Sequence, residues 1–224
     1  KDMGSIKGAL REAASFLRGR GISAPRREAE LMLAFLLAQE TTYLYVHGEK
    51  ELIGDLKAKY EDMLRRRGEH VPLAYLTEEK EFMGLPFRVK EGVLIPRPET
   101  EHLVETVWQW SKDRRAGPAG DLQRPLYILD LGTGCGNIAV SLAHYLPEAF
   151  VLGVDRSTDA LGLARQNAQT NGVDDRVEFF CGDFKEFFVR NKRHFHAIVS
   201  NPPYIPRSEL SSLPPAVQKE PVAA

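Results

Sequence analysis

Apolar residues recur every three or four positions over roughly the first 70 residues, a spacing that predicts helices with one buried face. Four helices are predicted: Ser5, Ser23 and either Thr41 or Thr42 stand where the first three would begin, the third is short, and the fourth carries the last of the stripes below and ends before Gly68. The predicted buried stripes are Ile6, Ala9, Leu10, Ala13, Phe16 and Leu17, then Leu31, Met32, Phe35 and Leu36, and finally Leu52, Leu56, Tyr60, Met63 and Leu64. We therefore predict that residues 1–71 form a small helical bundle.

The periodicity changes at Pro72. Two short segments, Glu81–Met83 and Phe87–Val89, flank Gly84-Leu85-Pro86, and a glycine and a proline between such segments are typical of a hairpin turn. We therefore predict that residues 72–96 form a β-hairpin linking the helical bundle to the rest of the chain.

Prolines mark the next boundary. Pro96 ends a short apolar strand that includes Leu94 and Ile95, and Pro98 occupies the first turn of a helix, where its missing N–H is tolerated. Arg97 lies between these prolines, so its side chain is either directed at a cleft or paired with a nearby glutamate. The helix is predicted to bury Leu103, Val104, Val107 and Trp108.

Buried strands alternate with helices from residue 126 onwards, which is the pattern of a parallel sheet covered by helices. We predict a Rossmann-like α/β domain over residues 97–224. Because four strands leave one flank of such a sheet open, a hazard for aggregation, we expect the natural chain to continue beyond Ala224. The predicted strands are Leu126–Leu129, Phe150–Val154, Arg176–Phe180 and Ala197–Val199, with helices starting near Ile138 and spanning Thr158–Thr170.

The first of these strands leads into a glycine-rich turn, Asp130-Leu131-Gly132-Thr133-Gly134-Cys135-Gly136-Asn137. Alternate glycines let the backbone approach a ligand closely and enter the next helix. A dinucleotide fingerprint would need glycine where this chain has Asn137. The spacing suits S-adenosylmethionine, which has no pyrophosphate. We predict cofactor contacts from Asp130, Gly132, Thr133, Gly134, Cys135 and Gly136.

The next two strands also end at side chains suited to an adenosyl group. Asp155 lies 23 positions after Gly132, where a carboxylate can accept both ribose hydroxyls. Asp183 can accept the adenine amino group, and Phe184 can stack on the ring. Successive strand ends that each carry a fitting residue make the cofactor prediction stronger than a glycine turn alone.

The fourth strand stops at Asn201-Pro202-Pro203-Tyr204 because consecutive prolines cannot continue a central strand. Its carboxyl end is the edge where open α/β sheets bind ligands. Asn201 and the following carbonyls can accept both hydrogens of a substrate NH2 group, and Tyr204 can form a flat wall. By itself, Asn-Pro is also a common strand-ending turn.

Composition excludes several classes. The 30 Lys and Arg against 31 Asp and Glu give no global field for nucleic acid or membranes. The longest apolar run, Leu31–Ala38, is far shorter than the roughly 20 residues that span a bilayer. Two cysteines, Cys135 and Cys181, are too few for a metal cluster and indicate a reducing compartment. We expect a cytoplasmic monomer without metal, or an organellar matrix protein if a presequence was removed.

Together, the Asp130–Gly136 turn, Asp155, Asp183 and the Asn201–Tyr204 box resemble class I methyltransferases that modify planar nitrogens. The Ile95–Glu101 box and the helical N-terminal region narrow the resemblance to the HemK/PrmC family, protein-(glutamine-N5) methyltransferases acting on peptide chain release factors. One departure is Glu78, where the family tends to have glycine before the hairpin.

This resemblance implies that Gly132–Gly136, Asp155 and Phe184 hold S-adenosylmethionine. It also implies that Asn201, Pro202, Pro203 and Tyr204 hold the glutamine of a Gly-Gly-Gln motif. We add Arg97 as a substrate-binding residue, Asn201 as a cofactor neighbour, and the helical bundle as the part that recognises the release factor.

Two alternatives remain open. The same box occurs in amino-methylating DNA and RNA enzymes, which extrude their target base. Residues 1–96 hold 16 Lys and Arg against 15 Asp and Glu, which argues against a nucleic-acid substrate. The other alternative is a truncated domain that binds cofactor without turnover.

Overall fold

The apolar stripes of the N-terminal sequence form helices, as predicted. The computed structural model describes residues 4–116, 125–202, 209 and 212–221. Ser5 caps the first helix, because its hydroxyl accepts a hydrogen bond from the Gly8 N–H at 3.1 Å. A fifth helix was not predicted, since five residues are too few to show a period. The helices are α1 (Ile6–Gly19), α2 (Pro25–Leu37), α3 (Thr41–Val46), α4 (Gly54–Gly68) and α5 (Leu73–Thr77).

Three details of these helices differ from the prediction. Phe16 is 38% exposed because its ring covers Gly68 at the end of α4, where a side chain would come within 2.8 Å of the ring. Phe35 is 45% exposed, and Leu33 is buried in its place. The residue before α2 is Ala24, without a side-chain cap, so Ser23 does not begin that helix.

The chain divides into two compact units. The described residues of Lys1–Thr77 and Leu213–Lys219 form the first, and those of Glu78–Ser212 and Glu220–Ala224 form the second. In this division the hairpin belongs to the second unit, and the predicted boundaries at 71 and 96 stay predictions. The core of the first unit is made by α1 to α5 and includes Leu10, Leu17, Met32, Leu33 and Tyr60.

The hairpin consists of β1 (Glu79–Phe82) and β2 (Leu85–Arg88). Its turn is Met83-Gly84, both with positive φ, so it begins one residue before the predicted turn at Gly84-Leu85-Pro86, and Leu85 and Pro86 belong to β2. Glu78 also has a φ of 53°, a left-handed conformation that glycine adopts at lower cost. Its carbonyl accepts a hydrogen bond from the Val89 N–H at 3.0 Å, which closes the base of the hairpin.

No strand forms at Leu94–Ile95, so that prediction is wrong within the described residues. A 3-10 turn, Pro98–Thr100, leads directly into α6 (Glu101–Ala116). Val104 and Val107 are buried as predicted, whereas Trp108 is 38% exposed. The Lys112 ammonium lies 3.3 Å from the centre of the Trp108 ring, and this cation–π contact covers the indole.

The second unit is built on a four-stranded parallel sheet, which confirms the α/β fold class. The strand order is β5-β4-β3-β6, and three helices follow the strands along the chain. The carboxyl ends of all four strands therefore meet at one edge, where ligands bind in open α/β sheets. The elements are β3 (Leu126–Leu131), α7 (Asn137–Tyr145), β4 (Ala149–Asp155), α8 (Thr158–Thr170), β5 (Val177–Cys181), α9 (Phe184–Arg190) and β6 (Ala197–Ser200).

Asn167 on α8 holds the end of the hairpin and the glycine-rich turn in place. Its carboxamide accepts a hydrogen bond from the Arg88 N–H at 2.7 Å and donates to the Arg88 carbonyl at 3.0 Å. It also donates to the Cys135 carbonyl at 2.8 Å, in the glycine-rich turn. Asn167 is fully buried, its bond to the Cys135 carbonyl is buried, and its two bonds to Arg88 are partly buried. One side chain thus fixes the hairpin and the turn to the same helix.

Within the described ranges, no helix combines the length and apolar character needed to cross a bilayer. The same residues contain no group of three or more His, Cys, Asp and Glu side chains arranged to hold a metal ion. Cys135 is a buried free thiol and Cys181 an exposed one.

We predict that Asn167→Ala lowers the free energy of unfolding by about 2–4 kcal/mol, because it leaves the buried Cys135 carbonyl and the partly buried N–H and carbonyl of Arg88 without their partner. Urea unfolding monitored by circular dichroism measures this change. The matched control is Gln166→Ala, which removes a carboxamide from the exposed face of the same helix and should change stability by no more than about 0.5 kcal/mol. Equal losses in the two variants would contradict the role of Asn167.

Candidate active site

A cavity of about 530 Å³ opens at the carboxyl edge of the sheet. Its walls come from the ends of β3, β4 and β6, from residues 92–97 and from the start of α9. This volume lies within the range of small-molecule sites. The strand ends chosen from the sequence therefore converge on one concave site.

The glycine-rich turn is tied to the end of β4 by three backbone amides. The N–H groups of Gly132 and Thr133 both donate to the Val154 carbonyl, at 2.8 and 3.1 Å. The Gly134 N–H donates to Asp155 Oδ2 at 2.9 Å. Because these donors are occupied within the protein, the turn has a defined shape of its own.

The glycines of this turn have positive φ, a conformation that favours glycine, and they differ in what surrounds them. Gly134 has a φ of 56°, and a Cβ placed there would meet no atom within 4 Å, so the backbone borders open cavity. Gly136 has a φ of 81°, and a Cβ there would lie 3.0 Å from the Ala164 Cβ. The first glycine leaves room beside the backbone, and the second allows the turn to pack against α8.

Asp155 lines the cavity, and both of its oxygens are anchored. Oδ2 accepts from Gly134 as described above, and Oδ1 accepts from the Ser157 N–H at 2.9 Å. Each carboxylate oxygen has a second lone pair, so the anchored group can still accept a ligand hydroxyl. The carboxylate is therefore held in one orientation at the position predicted for ribose recognition.

Asp130 lies behind the wall of the cavity and does not line it. It is fully buried, and its Oδ2 accepts from the Thr133 hydroxyl at 2.6 Å. Burial raises the pKa of Asp130 to about 7. Thr133 does line the cavity, so Asp130 acts on the site by holding Thr133. Burial also raises the pKa of the neighbouring Cys135 thiol to about 12, which keeps it protonated.

The two residues predicted to contact adenine at the end of β5 differ in their position relative to the cavity. Phe184 lines the cavity, whereas Asp183 does not. Asp183 caps α9 by accepting from the Lys185 N–H at 2.8 Å, and it forms an ion pair with Arg156. The hydrogen bond from Arg156 lowers the pKa of Asp183. Contact between Asp183 and an adenine amino group stays a prediction, and in this structure the carboxylate binds Arg156.

The β6 end brings Asn201 and Pro202 to the cavity, as predicted. The Asn201 Nδ2 donates to the Thr100 hydroxyl at 3.2 Å, so its Oδ1 remains available as an acceptor. The Ser200 hydroxyl donates to the Leu131 carbonyl at 2.8 Å and joins this end to β3. Pro203 and Tyr204 lie outside the described residues.

Arg97 lines the cavity and is paired with Glu220, whose Oε1 lies 2.5 Å from Nη2. Glu220 Oε2 also accepts from the Ile95 N–H at 3.2 Å. Arg97 therefore has both features that the sequence left open, a glutamate partner and a place in the cavity wall, and its role in substrate binding stays a prediction. Sequence reasoning missed Thr100 and Glu220. Thr100 lies within the Ile95–Glu101 box, whereas no pattern in the sequence connects Glu220 with Arg97.

Sequence profiles agree with this division of the chain. The profile of the PrmC N-terminal domain matches residues 8–77, and that of the methyltransferase small domain matches residues 121–213. A release factor glutamine methyltransferase from Moorella thermoacetica is 40% identical over 217 residues, covering 97% of this chain and 73% of that protein. One from Escherichia coli is 36% identical over 215 residues, covering 96% and 72%.

Among solved structures, a SAM-dependent methyltransferase from Agrobacterium tumefaciens is 26% identical with a TM-score of 0.42, over 56% of this chain and 39% of that one. The parallel sheet, the glycine-rich turn and the anchored acid at the end of β4, together with the profile matches, define an S-adenosylmethionine-dependent methyltransferase. On the strength of the curated relatives, the chain belongs to the release factor glutamine methyltransferase (HemK/PrmC) family.

We predict that Asp155→Ala weakens binding of S-adenosylmethionine by about 1.5–3 kcal/mol, the range for a hydrogen bond to a charged group. The variant also releases the Gly134 N–H, which adds to the loss. Isothermal calorimetry measures the affinity, and Asp159→Ala, an exposed acid in the first turn of α8, is the control. Unchanged affinity of Asp155→Ala would remove this residue from the site.

The raised pKa of Asp130 predicts a pH dependence of stability. Its folded-state pKa of about 7 exceeds the unfolded value of about 3.9, so the folded chain holds the proton more tightly between these values. Stability therefore falls as pH rises from about 4 to 7 and then levels off. Asp130→Asn removes this term, and its stability relative to the wild type should rise over the same window.

Urea unfolding at several pH values from 4 to 8 checks the sign of this difference. The exposed Asp174→Asn variant is the control for loss of a carboxylate near the sheet. A difference between Asp130→Asn and the wild type that stays constant with pH would show that Asp130 has the same pKa in the folded and unfolded chains.

Proposed function

We propose that this enzyme transfers a methyl group from S-adenosylmethionine to the side-chain amide nitrogen (N5) of the glutamine in the Gly-Gly-Gln motif of a peptide chain release factor. The observation that carries the proposal is the Asn201 carboxamide, held by Thr100 with its oxygen available at the rim of a cofactor-sized cavity. Family membership supports the same reaction and substrate.

Several residues are suited to hold the cofactor. Asp155 offers an oriented carboxylate for ribose hydroxyls, and the open backbone at Gly134 allows close approach of a ligand. Phe184 offers a flat wall for the adenine. When bound, S-adenosylmethionine supplies a methyl group made electrophilic by its sulfonium. These residues fit such a group. S-adenosylmethionine has no phosphate, so it does not need the backbone amides that the turn uses for its own hydrogen bonds.

The proposed substrate site depends mainly on hydrogen-bond acceptors for the target amide. A target carboxamide presents two N–H donors, and Asn201 Oδ1 together with the Pro202 carbonyl would accept them. The nitrogen lone pair of an amide is delocalised into its carbonyl, so the nitrogen is a weak nucleophile. Fixing both hydrogens turns the lone pair towards the methyl group, and approach to about 3–3.5 Å then supplies much of the acceleration.

Orientation does more here than acid–base chemistry. Asp155 is the one carboxylate among the described residues that line the cavity, and both of its oxygens accept backbone hydrogen bonds. The nitrogen becomes far more acidic once it is methylated. The proton therefore leaves after methyl transfer, without a dedicated general base among the described residues that line the cavity.

The helical unit is proposed to recognise the release factor. The balanced charge of residues 1–96 favours a protein partner over a nucleic acid, whose phosphates attract basic surfaces. Amino methylation of DNA or RNA is the second candidate, since the box at Asn201 suits any planar NH2 group.

We predict that Asn201→Ala lowers kcat by about 100-fold or more with little change in cofactor affinity, because the lost contact orients the nucleophile. Thr100→Val should lower kcat by about tenfold, and Thr100→Ser, which keeps the hydroxyl, should restore it. Mass spectrometry of methylated release factor and of a Gly-Gly-Gln peptide measures both effects.

A double variant tests whether Thr100 acts through Asn201. In an Asn201→Ala background, Thr100→Val should cause no further loss of kcat, because the group it orients is gone. Additive losses would show that Thr100 has a separate role. Methylation of an adenine-containing duplex but not of the release factor would favour the nucleic-acid candidate.

A further inference from the structure

The charged side chains that line the cavity are all accompanied by compensating groups. Among the described lining residues, these side chains are Arg97, Arg156 and Asp155. Each arginine is paired with a carboxylate that does not itself line the cavity, Arg97 with Glu220 and Arg156 with Asp183. The walls therefore combine cationic groups with little net positive charge.

The two ion pairs differ in environment. The Arg156 side chain is 77% exposed, so water screens that pair. The Glu220 side chain is only 5% exposed, and the Arg97 side chain is 32% exposed. Both Glu220 oxygens are engaged, one by Arg97 and one by the Ile95 N–H. Charge has larger effects at this shielded end of the cavity, where the effective dielectric is lower.

This end of the cavity has to distinguish two side chains of the same shape. Glutamine and glutamate differ in charge and in the two N–H donors of the amide. An uncompensated arginine binds carboxylates through short, charge-assisted hydrogen bonds, frequently in a bidentate arrangement. Arg97 alone would therefore favour glutamate over glutamine at a site meant for an amide.

We propose that Glu220 is a specificity-determining residue: by neutralising Arg97, it prevents capture of carboxylates and leaves the cavity selective for a neutral amide. The inference rests on the proposed function, in which the target is a side-chain amide. Glu220 does not touch the substrate and acts through Arg97. A carboxylate that enters the cavity gains no net attraction from the pair and still loses its hydration.

The test compares two peptides of identical length, one containing Gly-Gly-Gln and the other Gly-Gly-Glu. Both are titrated into the full chain saturated with S-adenosylhomocysteine, and the ratio of their Kd values is the readout. In Glu220→Gln, the Gly-Gly-Glu peptide should bind about tenfold more tightly than in the wild type, as expected for a charge-assisted hydrogen bond. It should also inhibit methylation of the Gly-Gly-Gln peptide at about tenfold lower concentration.

A reciprocal variant covers the case in which Glu220→Gln does not fold. Arg97→Gln leaves the Glu220 carboxylate without its cation, so the Kd ratio should move about tenfold in the opposite direction. The double variant Arg97→Gln/Glu220→Gln should lose the gain seen in Glu220→Gln. The matched control is Glu178→Gln, which removes the carboxylate partner of Arg193 from the surface and should leave the ratio unchanged.

A purely structural role of Glu220 would weaken both peptides equally and leave the ratio unchanged, which would overturn the proposal. If the wild type methylates the Gly-Gly-Gln peptide while neither variant changes the ratio, the proposed function stands and this inference fails. If the wild type methylates neither the peptide nor the intact release factor, the proposed function fails and the inference falls with it.

Discussion

The site depends on the way the end of β4 holds the glycine-rich turn. The Val154 carbonyl accepts two backbone N–H groups from the turn, and Asp155 accepts a third. On its other side, the turn is fixed through its Cys135 carbonyl by Asn167. An irregular segment without these partners would leave buried polar groups unsatisfied. Because the partners belong to a strand and a helix, the rigidity of the sheet and its covering layer extends to the loop that borders the cavity.

Charge near the cavity is kept in balance by burial and pairing. Asp130 is buried and pairs with no cation among the residues that the structure describes, and its pKa rises to about 7 because a desolvated carboxylate is costly. Arg97 and Glu220 offset the same desolvation cost by forming an ion pair. Methyl transfer disperses the sulfonium charge, and walls with little net charge favour that dispersal over stabilisation of the starting cation. The same balance suits a neutral amide substrate.

The arrangement at Asn201 favours catalysis by positioning. A flexible carboxamide is useful only when its orientation is fixed, and the Thr100 hydroxyl fixes it from a 3-10 turn near the start of α6. Ser200 joins the same strand end to β3. The acceptor is therefore attached to the sheet on one side and to the proline-bounded segment on the other, which limits its motion without requiring a general base.

The sequence by itself determined the local structure and the positions of the strand-end motifs. Periodicity identified α1, α2 and α4, Thr41 or Thr42 marked the short α3, and apolar runs followed by Asp130, Asp155, Asp183 and Asn201 identified the four strands and the edge where ligands bind. These signals are local, because they arise from the repeat of a helix or strand. Tertiary structure decided the pairings between distant positions. Thr100 and Asn201 are 101 positions apart, and Arg97 and Glu220 are 123 apart. Tertiary structure also decided that Asp130 lies behind the cavity wall and that Phe16, Phe35 and Trp108 are partly exposed. Burial depends on which element covers a side chain, and a local sequence pattern does not contain that information.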